Sequence, residues 1–530
     1  MARPSKVRVL TNGACEGTFK GTPQDTIPIL MNQRPFLIFP VLASVYPVLA
    51  LTSGNPGERV MPGHMVLPAT LSLVACLVVL LLAAMITRDQ CKRAIIALVG
   101  IVAFHAYGRI WMAIDNASDA RLLPAVLVVV AIASLLIHRT RKSLMPACRY
   151  LNVFCSILFL LPLPGILQRF LVPPAKISTP SLPTGPLHLS SKKPDVYIII
   201  LDKYTGSHSL MANYDYDDSA FLHRLESKGF FVPHFSRSNY QHTFLALASL
   251  LNWRYLADLG LYPGAKSTDW SLAYPLVETN ATVSFFKSLG YRYYFFPSAF
   301  GATARSRIAD VLLPPPDRVQ PEFYFVWRST TILEAVVRMG KLEFPYMPEP
   351  VRLTDWKFDQ LGRLADSSGP KLVFAHLTVP HEPYVYRSDC THRPLYWPRQ
   401  DDGFDSVAVK RAYIEQLTCV NVKVGRLVEQ LQRRSREPPV ILLLADHGHG
   451  RMGRSLPTLD AAPSDKVRER LDIFSAYYFP GAPSSMYDSI SPVNGMRTML
   501  RQTFGLDLPN LDDASFWSST KYPYDFKRVR

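Results

Sequence analysis

Acidic residues are scarce in the first part of this 530-residue chain, whereas long apolar runs are concentrated there. Residues 1–189 hold 17 Lys and Arg against 6 Asp and Glu, a surplus of 17 − 6 = +11, and the rest holds 41 against 36, a surplus of +5. Most of the net charge of +16 therefore lies among apolar runs, where basic residues indicate membrane topology. The charge balance thus gives little support to a nucleic-acid-binding protein.

Cysteine is also rare, with seven residues in the whole chain. Only Cys390 and Cys419 lie beyond residue 155. If that part of the chain is exported to an oxidising compartment, two thiols suggest one disulfide. The alternative is a pair of unlinked, buried cysteines.

Five apolar runs are candidates for crossing a bilayer, whose core takes ~17–25 apolar residues in a helix. The first is short and contains Pro40 and Pro47, and no small-residue cleavage site of a signal peptide follows it. We therefore predict five spans. They are Phe36–Leu51, Met65–Thr87, Ala94–Ile114, Leu122–His138 and Tyr150–Val172.

Basic residues flank these runs unequally. Twelve lie in the N-terminal tail and in the second-to-third and fourth-to-fifth loops, whereas the other loops hold only Arg59 and Arg121. The imbalance predicts a multi-pass protein of the plasma (inner) membrane with a cytoplasmic N-terminus, and five spans then place the C-terminal part outside. The expected domains are a cytoplasmic tail (1–35), a five-span domain (36–172), a Pro/Ser/Thr-rich linker (173–194) and an extracytoplasmic domain (195–530).

The last of these domains alternates strand and helix patterns. Alternation of this kind predicts an α/β domain with a doubly wound, largely parallel sheet. Strands are expected at Val196–Leu201, Tyr291–Phe296, Leu372–His376 and Val440–Ala445. Helices are expected at Ser219–Lys228, Phe244–Leu251 and Val407–Arg434.

Two of the predicted strands end in acids. The first runs into Asp202, and the last runs into Asp446, His447 and Gly448. The carboxyl ends of parallel strands form one crevice, so these side chains are expected to meet. Two carboxylates and an imidazole are typical ligands of a divalent metal. The alternative is a simple strand-ending turn, which Asp and Gly favour.

Thr243 stands at the start of the predicted helix Phe244–Leu251. A helix N-terminus offers free N–H groups and a positive dipole end to an anion. Coordination of the hydroxyl to a divalent metal would activate it as a nucleophile. With Asp202, Asp446 and His447, the Thr243 oxygen would complete a four-coordinate site suited to one zinc or manganese ion, with magnesium a further possibility.

Several sequence blocks, in this order, resemble the sulfatase-like branch of the alkaline phosphatase superfamily. They are PDVYIIILDKYTG, YDYDDSAFLHRLESKGF, SRSNYQHTFLALASLLN, VFAHLTVPHEPYVY, LLLADHGHG and ERLDIFSAYYFPG. A membrane anchor with an external catalytic domain is similar to lipoteichoic acid synthases and related phosphoglycerol or phosphoethanolamine transferases. The resemblance implies metal ligation by Asp202, Asp446 and His447 and a phospho-Thr243 intermediate. It also implies that His381 contacts the transferred group or a metal.

The chain departs from that family at two places. The segment around Thr243 lacks the C/S-x-P-x-R motif of true sulfatases, which argues against sulfate ester hydrolysis. Lys203 directly follows Asp202, where relatives commonly have a small or acidic residue, so we expect one metal ion rather than two.

Other residues near the expected crevice allow two interpretations each. His376 ends an apolar strand and is either a ligand or a core histidine. His242 would assist proton transfer only if its ring turns toward Thr243. His449, Arg451 and Arg454 crowd the same edge, where the two arginines would either bind phosphate oxygens or remain solvated.

The sequence therefore predicts an enzyme that transfers a phospho-headgroup from a membrane phospholipid to an envelope glycan or lipid. A tether of about twenty residues keeps such a domain near its lipid donor. One alternative is a metal-dependent phosphodiesterase or phosphatase with water as acceptor. Another is a non-catalytic membrane protein that retains the fold.

Overall fold

The computed structural model describes residues 37–54, 60, 62–114, 118–171, 193–298, 300–313, 322–339, 350–396, 406–450, 452, 455–480 and 485–529. Its N-terminal part is a bundle of apolar helices in which α1 packs against α2, α3 and α5. The helices are α1 (Phe39–Gly54), α2 (Pro62–Ile86), α3 (Gln90–Ala113), α4 (Asp119–Arg139), α5 (Met145–Leu160) and α6 (Leu163–Leu171). The expected cytoplasmic tail and most of the linker lie outside the described residues.

Four stretches of this bundle are long and apolar enough to cross a membrane, namely Pro62–Ile86, Gln90–Ala113, Asp119–Arg139 and Met145–Leu167. Large apolar side chains such as Leu81 and Val129 are exposed on them, which suits a lipid environment. The first predicted span is a shorter helix of 16 residues, α1. The prediction of an apolar helical domain is confirmed, with four full-length candidate spans in the described part.

The C-terminal part is an α/β domain. Its strands are β1 (Val196–Leu201), β2 (Arg292–Phe296), β3 (Val311–Leu312), β4 (Lys371–Leu377), β5 (Tyr384–Tyr386), β6 (His392–Tyr396), β7 (Val440–Ala445), β8 (Ser475–Tyr478), β9 (Ser515–Trp517) and β10 (Lys527–Val529). Its helices are α7 (Ser207–Tyr214), α8 (Ser219–Glu226), α9 (Thr243–Asn252), α10 (Ala257–Leu259), α11 (Pro275–Glu278), α12 (Ala281–Ser288), α13 (Glu322–Ser329), α14 (Ile332–Arg338), α15 (Pro350–Leu364), α16 (Val407–Arg434), α17 (Ser464–Leu471) and α18 (Pro492–Phe504).

The main sheet has six strands in the order β3-β2-β4-β1-β7-β8. All neighbours pair in parallel except β7 and β8, which are antiparallel. The prediction of an α/β domain with a largely parallel sheet is confirmed. Leu201 at the end of β1 is in register with Leu377 of β4 and with Ala445 of β7. The residues that follow these three strands therefore emerge side by side.

The central strands are buried on both faces, which explains their unbroken apolar sequences. From β1, Ile198 and Ile200 enter the core that includes residues of α9, α12 and α18. Ile199 and Leu201 enter the opposite core, which includes residues of α8, α15 and α16. Helices on both faces hold β1, β4 and β7 rigidly in the middle of the domain.

Cys390 and Cys419 form a disulfide that links the β5–β6 connection to the middle of α16. Four further cysteines in the described part of the bundle are unlinked and buried. The cross-link lies within the α/β domain, close to the loop that follows β4.

The α/β domain also packs on the bundle through α13 and α14, which contact α2 and α3. Trp327 of α13 is buried next to Val48 and Val60 of the bundle. The N–H of Gly108 in α3 donates to the carbonyl of Thr330 at 3.0 Å, and a Cβ on Gly108 would overlap the carbonyl oxygen of Ser329. The two parts are thus joined by packing as well as by the chain.

Candidate active site

Three side chains with metal-binding atoms meet at the carboxyl edge of the central strands. Asp202 follows β1, and Asp446 and His447 follow β7. One potential ligand atom from each lies within 4.8 Å of the other two, and all three residues are buried. The parallel register of β1 and β7 brings them together from positions more than 240 residues apart.

Two carboxylate oxygens in this group support cation binding. Asp202 Oδ1 and Asp446 Oδ2 are buried without a hydrogen bond to any described residue. The other oxygen of Asp446 accepts N–H groups from Lys203 at 3.1 Å and from His447 at 2.8 Å. Buried carboxylate oxygens are costly unless paired or bound to a cation. The residues present therefore fit a divalent metal.

The ring of His447 is fixed in one orientation. Its Nδ1 lies 2.8 Å from the carbonyl oxygen of Gly448, which can only accept, so Nδ1 carries the proton. Nε2 is left with a lone pair and lies 3.9 Å from Asp202 Oδ1 and 3.5 Å from Asp446 Oδ2. Burial and Arg470 lower the pKa of His447 well below its ordinary value, so the ring is neutral and able to bind a metal.

The hydroxyl of Thr243 faces the same group. Thr243 is the first residue of α9, and its Oγ1 lies 3.2 Å from His447 Nε2. The residue is almost fully buried, at 8% exposure. The start of a helix supplies a positive potential at this point, which favours a negative charge on the oxygen.

The two carboxylates repel each other. Burial and the neighbouring Asp202 raise the pKa of Asp446 to about 6. Burial also acts to raise the pKa of Asp202, but His381, His376 and His447 outweigh it and lower that pKa below its ordinary value. A pair of carboxylates this close is stabilised by a cation between them.

His376 and His381 both lie beside Asp202. His376 Nε2 is 3.4 Å from Asp202 Oδ2, and its Nδ1 is 2.8 Å from the Thr303 hydroxyl. The backbone N–H of His381 donates to the carbonyl of Asp202 at 3.1 Å, and its side chain is 31% exposed. His376 is thus placed to orient a ligand, and the side chain of His381 is the more exposed of the two.

The other sequence-predicted residues lie elsewhere or outside the described residues. His242 stacks on Phe244 and packs at a tilt against Trp270 in an aromatic cluster. His449 contacts the hydroxyls of Tyr214 at 2.8 Å and Tyr384 at 3.1 Å, so both ring nitrogens are engaged. Arg451 and Arg454 lie outside the described residues.

Arg470 is a site residue that sequence reasoning missed. Its Nη2 lies 3.1 Å from His447 Nε2, and its Nε donates to the carbonyl of Gln241 at 3.1 Å. A guanidinium offers planar donors that match phosphate oxygens. The sequence carries only a weak indication of this role. Arg470 belongs to the block ERLDIFSAYYFPG, but it lies in α17 and not at the end of a parallel strand.

Comparison with known proteins gives fold similarity alone. No protein-family model matches the chain, and no curated protein matches it.

Solved structures give matches of low identity. The C-terminal periplasmic domain of EcEptC from Escherichia coli is 12% identical with a TM-score of 0.39, covering 62% of this chain and 86% of that chain. A protein in the alkaline phosphatase superfamily from Vibrio parahaemolyticus is 10% identical with a TM-score of 0.38, covering 64% and 75%. The integral membrane lipooligosaccharide phosphoethanolamine transferase A (EptA) from Neisseria meningitidis is 12% identical with a TM-score of 0.38, covering 87% and 94%.

Proposed function

We propose that the protein is a membrane-anchored, metal-dependent phosphotransferase. It would move a phospho-headgroup, phosphoglycerol or phosphoethanolamine, from a membrane phospholipid to an envelope glycan or lipid. The observation that carries the proposal is the Thr243 hydroxyl, 3.2 Å from His447 Nε2 beside two buried carboxylates with unpaired oxygens. A hydroxyl in such a place is suited to attack at phosphorus.

Asp202, Asp446, His447 and the Thr243 oxygen would hold one divalent ion, zinc, manganese or magnesium. When bound, such an ion would lower the pKa of the Thr243 hydroxyl and so supply an alkoxide at neutral pH. Ser238 and Gly448 hold two of these ligand residues in place through hydrogen bonds. Ser238 Oγ donates to the carbonyl of Asp446 at 2.5 Å, and Gly448 accepts from His447.

The transfer proceeds in two halves. The Thr243 hydroxyl first loses its proton to solvent; Oγ1 then forms a bond to the phosphorus of the lipid headgroup, and the bond from phosphorus to the diacylglycerol oxygen breaks. His381, whose side chain is partly exposed, gives a proton to the departing oxygen. The oxygen of an acceptor hydroxyl then forms a bond to the same phosphorus, its proton passes to His381, and the bond from phosphorus to Thr243 Oγ1 breaks. Arg470 holds non-bridging phosphoryl oxygens in both halves.

The apolar bundle and the flanking basic residues support the location in this proposal. The α/β domain (195–530) would lie outside the plasma (inner) membrane, and the N-terminal tail (1–35) would lie in the cytoplasm. A lipid donor and an envelope acceptor are both reachable from that side. The proposed function involves no nucleic-acid partner.

The test compares Thr243→Ala with Thr498→Ala, which removes a buried hydroxyl on α18. Full-length protein in phospholipid vesicles is incubated with and without a glycan acceptor, and products are identified by mass spectrometry. We expect headgroup transfer by the wild type and Thr498→Ala and none by Thr243→Ala. Release of the headgroup to water irrespective of acceptor would instead assign a phosphodiesterase, and turnover by Thr243→Ala would refute the mechanism.

A further inference from the structure

A buried lysine lies immediately beside the candidate metal ligands. The Lys203 ammonium lies 3.0 Å from Glu382 Oε1 and 2.9 Å from Oε2, and the two side chains are 8% and 9% exposed. An ammonium has three N–H donors, and Glu382 accepts two of them. One donor is left for another acceptor.

Backbone contacts tie this ion pair to the metal-binding group. The N–H of Lys203 donates to Asp446 Oδ1 at 3.1 Å. On the other side of the pair, His381, the residue before Glu382, donates its N–H to the carbonyl of Asp202 at 3.1 Å. The Lys203–Glu382 pair is thus attached through two backbone hydrogen bonds to the turns that carry Asp202 and Asp446.

The chain maintains this lysine at a cost. Lys203 has φ of +64°, a left-handed conformation that is unfavourable for a non-glycine residue. The Tyr413 hydroxyl stabilises it by donating to the carbonyl of Lys203 at 2.8 Å. Burying an ion pair adds a desolvation penalty. If this position served only the fold, glycine or asparagine would suit its backbone conformation better than lysine.

Phosphoryl transfer commonly uses two cations roughly 3.5–4 Å apart, which together neutralise the developing charge. In the described part of this chain, three residues form a candidate group for one ion, and the neighbouring position holds an ammonium instead of further metal ligands. Asp202 and Lys203 are consecutive. A single turn after β1 would therefore position both the divalent ion that Asp202 binds and the Lys203 ammonium.

We propose that the Lys203 ammonium serves as the fixed second cation of the centre, binding a non-bridging oxygen of the phosphoryl group beside a single divalent ion. This role rests on the proposed function. Glu382 is then a positioning residue that orients the ammonium. The protein would depend on one exchangeable ion, with its second positive charge supplied permanently by the chain.

The experiment uses full-length protein in detergent, stripped with chelator and reloaded with zinc or manganese. Bound metal per chain is measured by mass spectrometry, and binding of inorganic phosphate by calorimetry. Lys203→Met removes the charge. The double variant Lys203→Met/Glu382→Gln removes both charges of the pair, so that no buried carboxylate is left unpaired. Lys371→Met is the matched control, because Lys371 forms an equally buried pair with Asp195 at the opposite end of the strands.

We expect one ion per chain in the wild type and in all folded variants. Phosphate affinity should fall at least about tenfold in both Lys203 variants and remain unchanged in Lys371→Met. Two ions in the wild type, or wild-type phosphate affinity in the double variant, would overturn the proposal. Phosphate binding is measured without a lipid donor, so absence of headgroup transfer would refute the proposed function separately.

Discussion

Thr243 Oγ1 lies 3.2 Å from His447 Nε2, although 204 positions of sequence separate the two residues. One is the first residue of a helix, and the other follows the end of a central strand. Their contact depends on α9 packing its apolar side chains, Phe244 and Leu247 among them, into the core beneath the sheet. The Thr243 hydroxyl is therefore held by a helix that is anchored in the core of the domain.

The proposed covalent intermediate is directly testable at Thr243. With phospholipid vesicles and no acceptor, we expect the wild-type peptide containing Thr243 to gain the mass of the phospho-headgroup. Thr243→Ser keeps a hydroxyl and should be labelled more slowly, because the lost methyl no longer restricts the side-chain rotamer. Thr243→Ala should not be labelled. Peptide mass spectrometry after rapid acid quenching makes the measurement, and a label on any other residue would contradict the assignment.

Asp202→Asn should have opposite effects on the melting temperature with and without metal. Without metal, the variant relieves repulsion with Asp446, so its melting temperature in chelator should equal or exceed that of the wild type. With zinc or manganese, the stabilisation that the wild type gains from binding should be largely lost. Thermal unfolding with and without metal measures both.

The matched control for that change is Asp310→Asn, which removes a partly exposed carboxylate paired with Lys287. It should leave metal-dependent stabilisation intact. An equal metal-induced rise in melting temperature for Asp202→Asn and the control would contradict ligation by Asp202.

Glu469 should make the protein sensitive to acid. Burial alone would raise the pKa of Glu469, but His449, Tyr214 and Lys466 outweigh it and lower that pKa to about 2 from an ordinary 4.5. The ionised Glu469 carboxylate therefore stabilises the folded state fully above pH 4.5, and this stabilisation is lost as the pH falls toward 2. Its magnitude is on the order of 3 kcal/mol.

Glu469→Gln should therefore flatten the fall in unfolding free energy between those pH values. Denaturant unfolding at several pH values measures the slope. Glu226→Gln on the surface of α8 is the control, and its slope should match that of the wild type. A wild-type slope for Glu469→Gln would show that the carboxylate is not stabilised in the folded state.

Gly108→Ala should loosen the contact between the two parts of the protein. The added Cβ would overlap the Ser329 carbonyl oxygen, and backbone cannot yield as a flexible side chain can. We expect faster hydrogen exchange in 322–339, with unchanged exchange in the central strands. Gly63→Ala, where a Cβ would meet nothing within 4 Å, is the control. Unchanged exchange in 322–339 would mean that the contact is not maintained in solution.

The sequence predicted the features that depend on local pattern. β1 and β7 were recognisable because burial on both faces requires unbroken apolar residues, and their ends located Asp202, Asp446 and His447. α16 was predicted with its observed ends, Val407–Arg434. Thr243 was placed at a helix start because the residues after it favour a helix.

Features that depend on tertiary contact were not predictable. Arg470 reaches His447 from a helix that lies after a long connection. The Lys203 side chain finds its partner, Glu382, 179 positions away, in the loop after β4. β8 is a short antiparallel edge strand with polar and aromatic residues, so its sequence carries no strong strand pattern. Docking of α13 and α14 on the bundle depends on both surfaces being folded.

The packing of α13 and α14 on α2 and α3 restricts where the α/β domain lies relative to the bundle. β3 ends at the same edge of the sheet as β1, and α13 is the next described helix after β3. A domain joined to the bundle only by a flexible linker would take up many distances from the membrane. Packing through α13 and α14 restricts that distance, so under the proposed function a lipid substrate would reach the site by lateral diffusion in the leaflet.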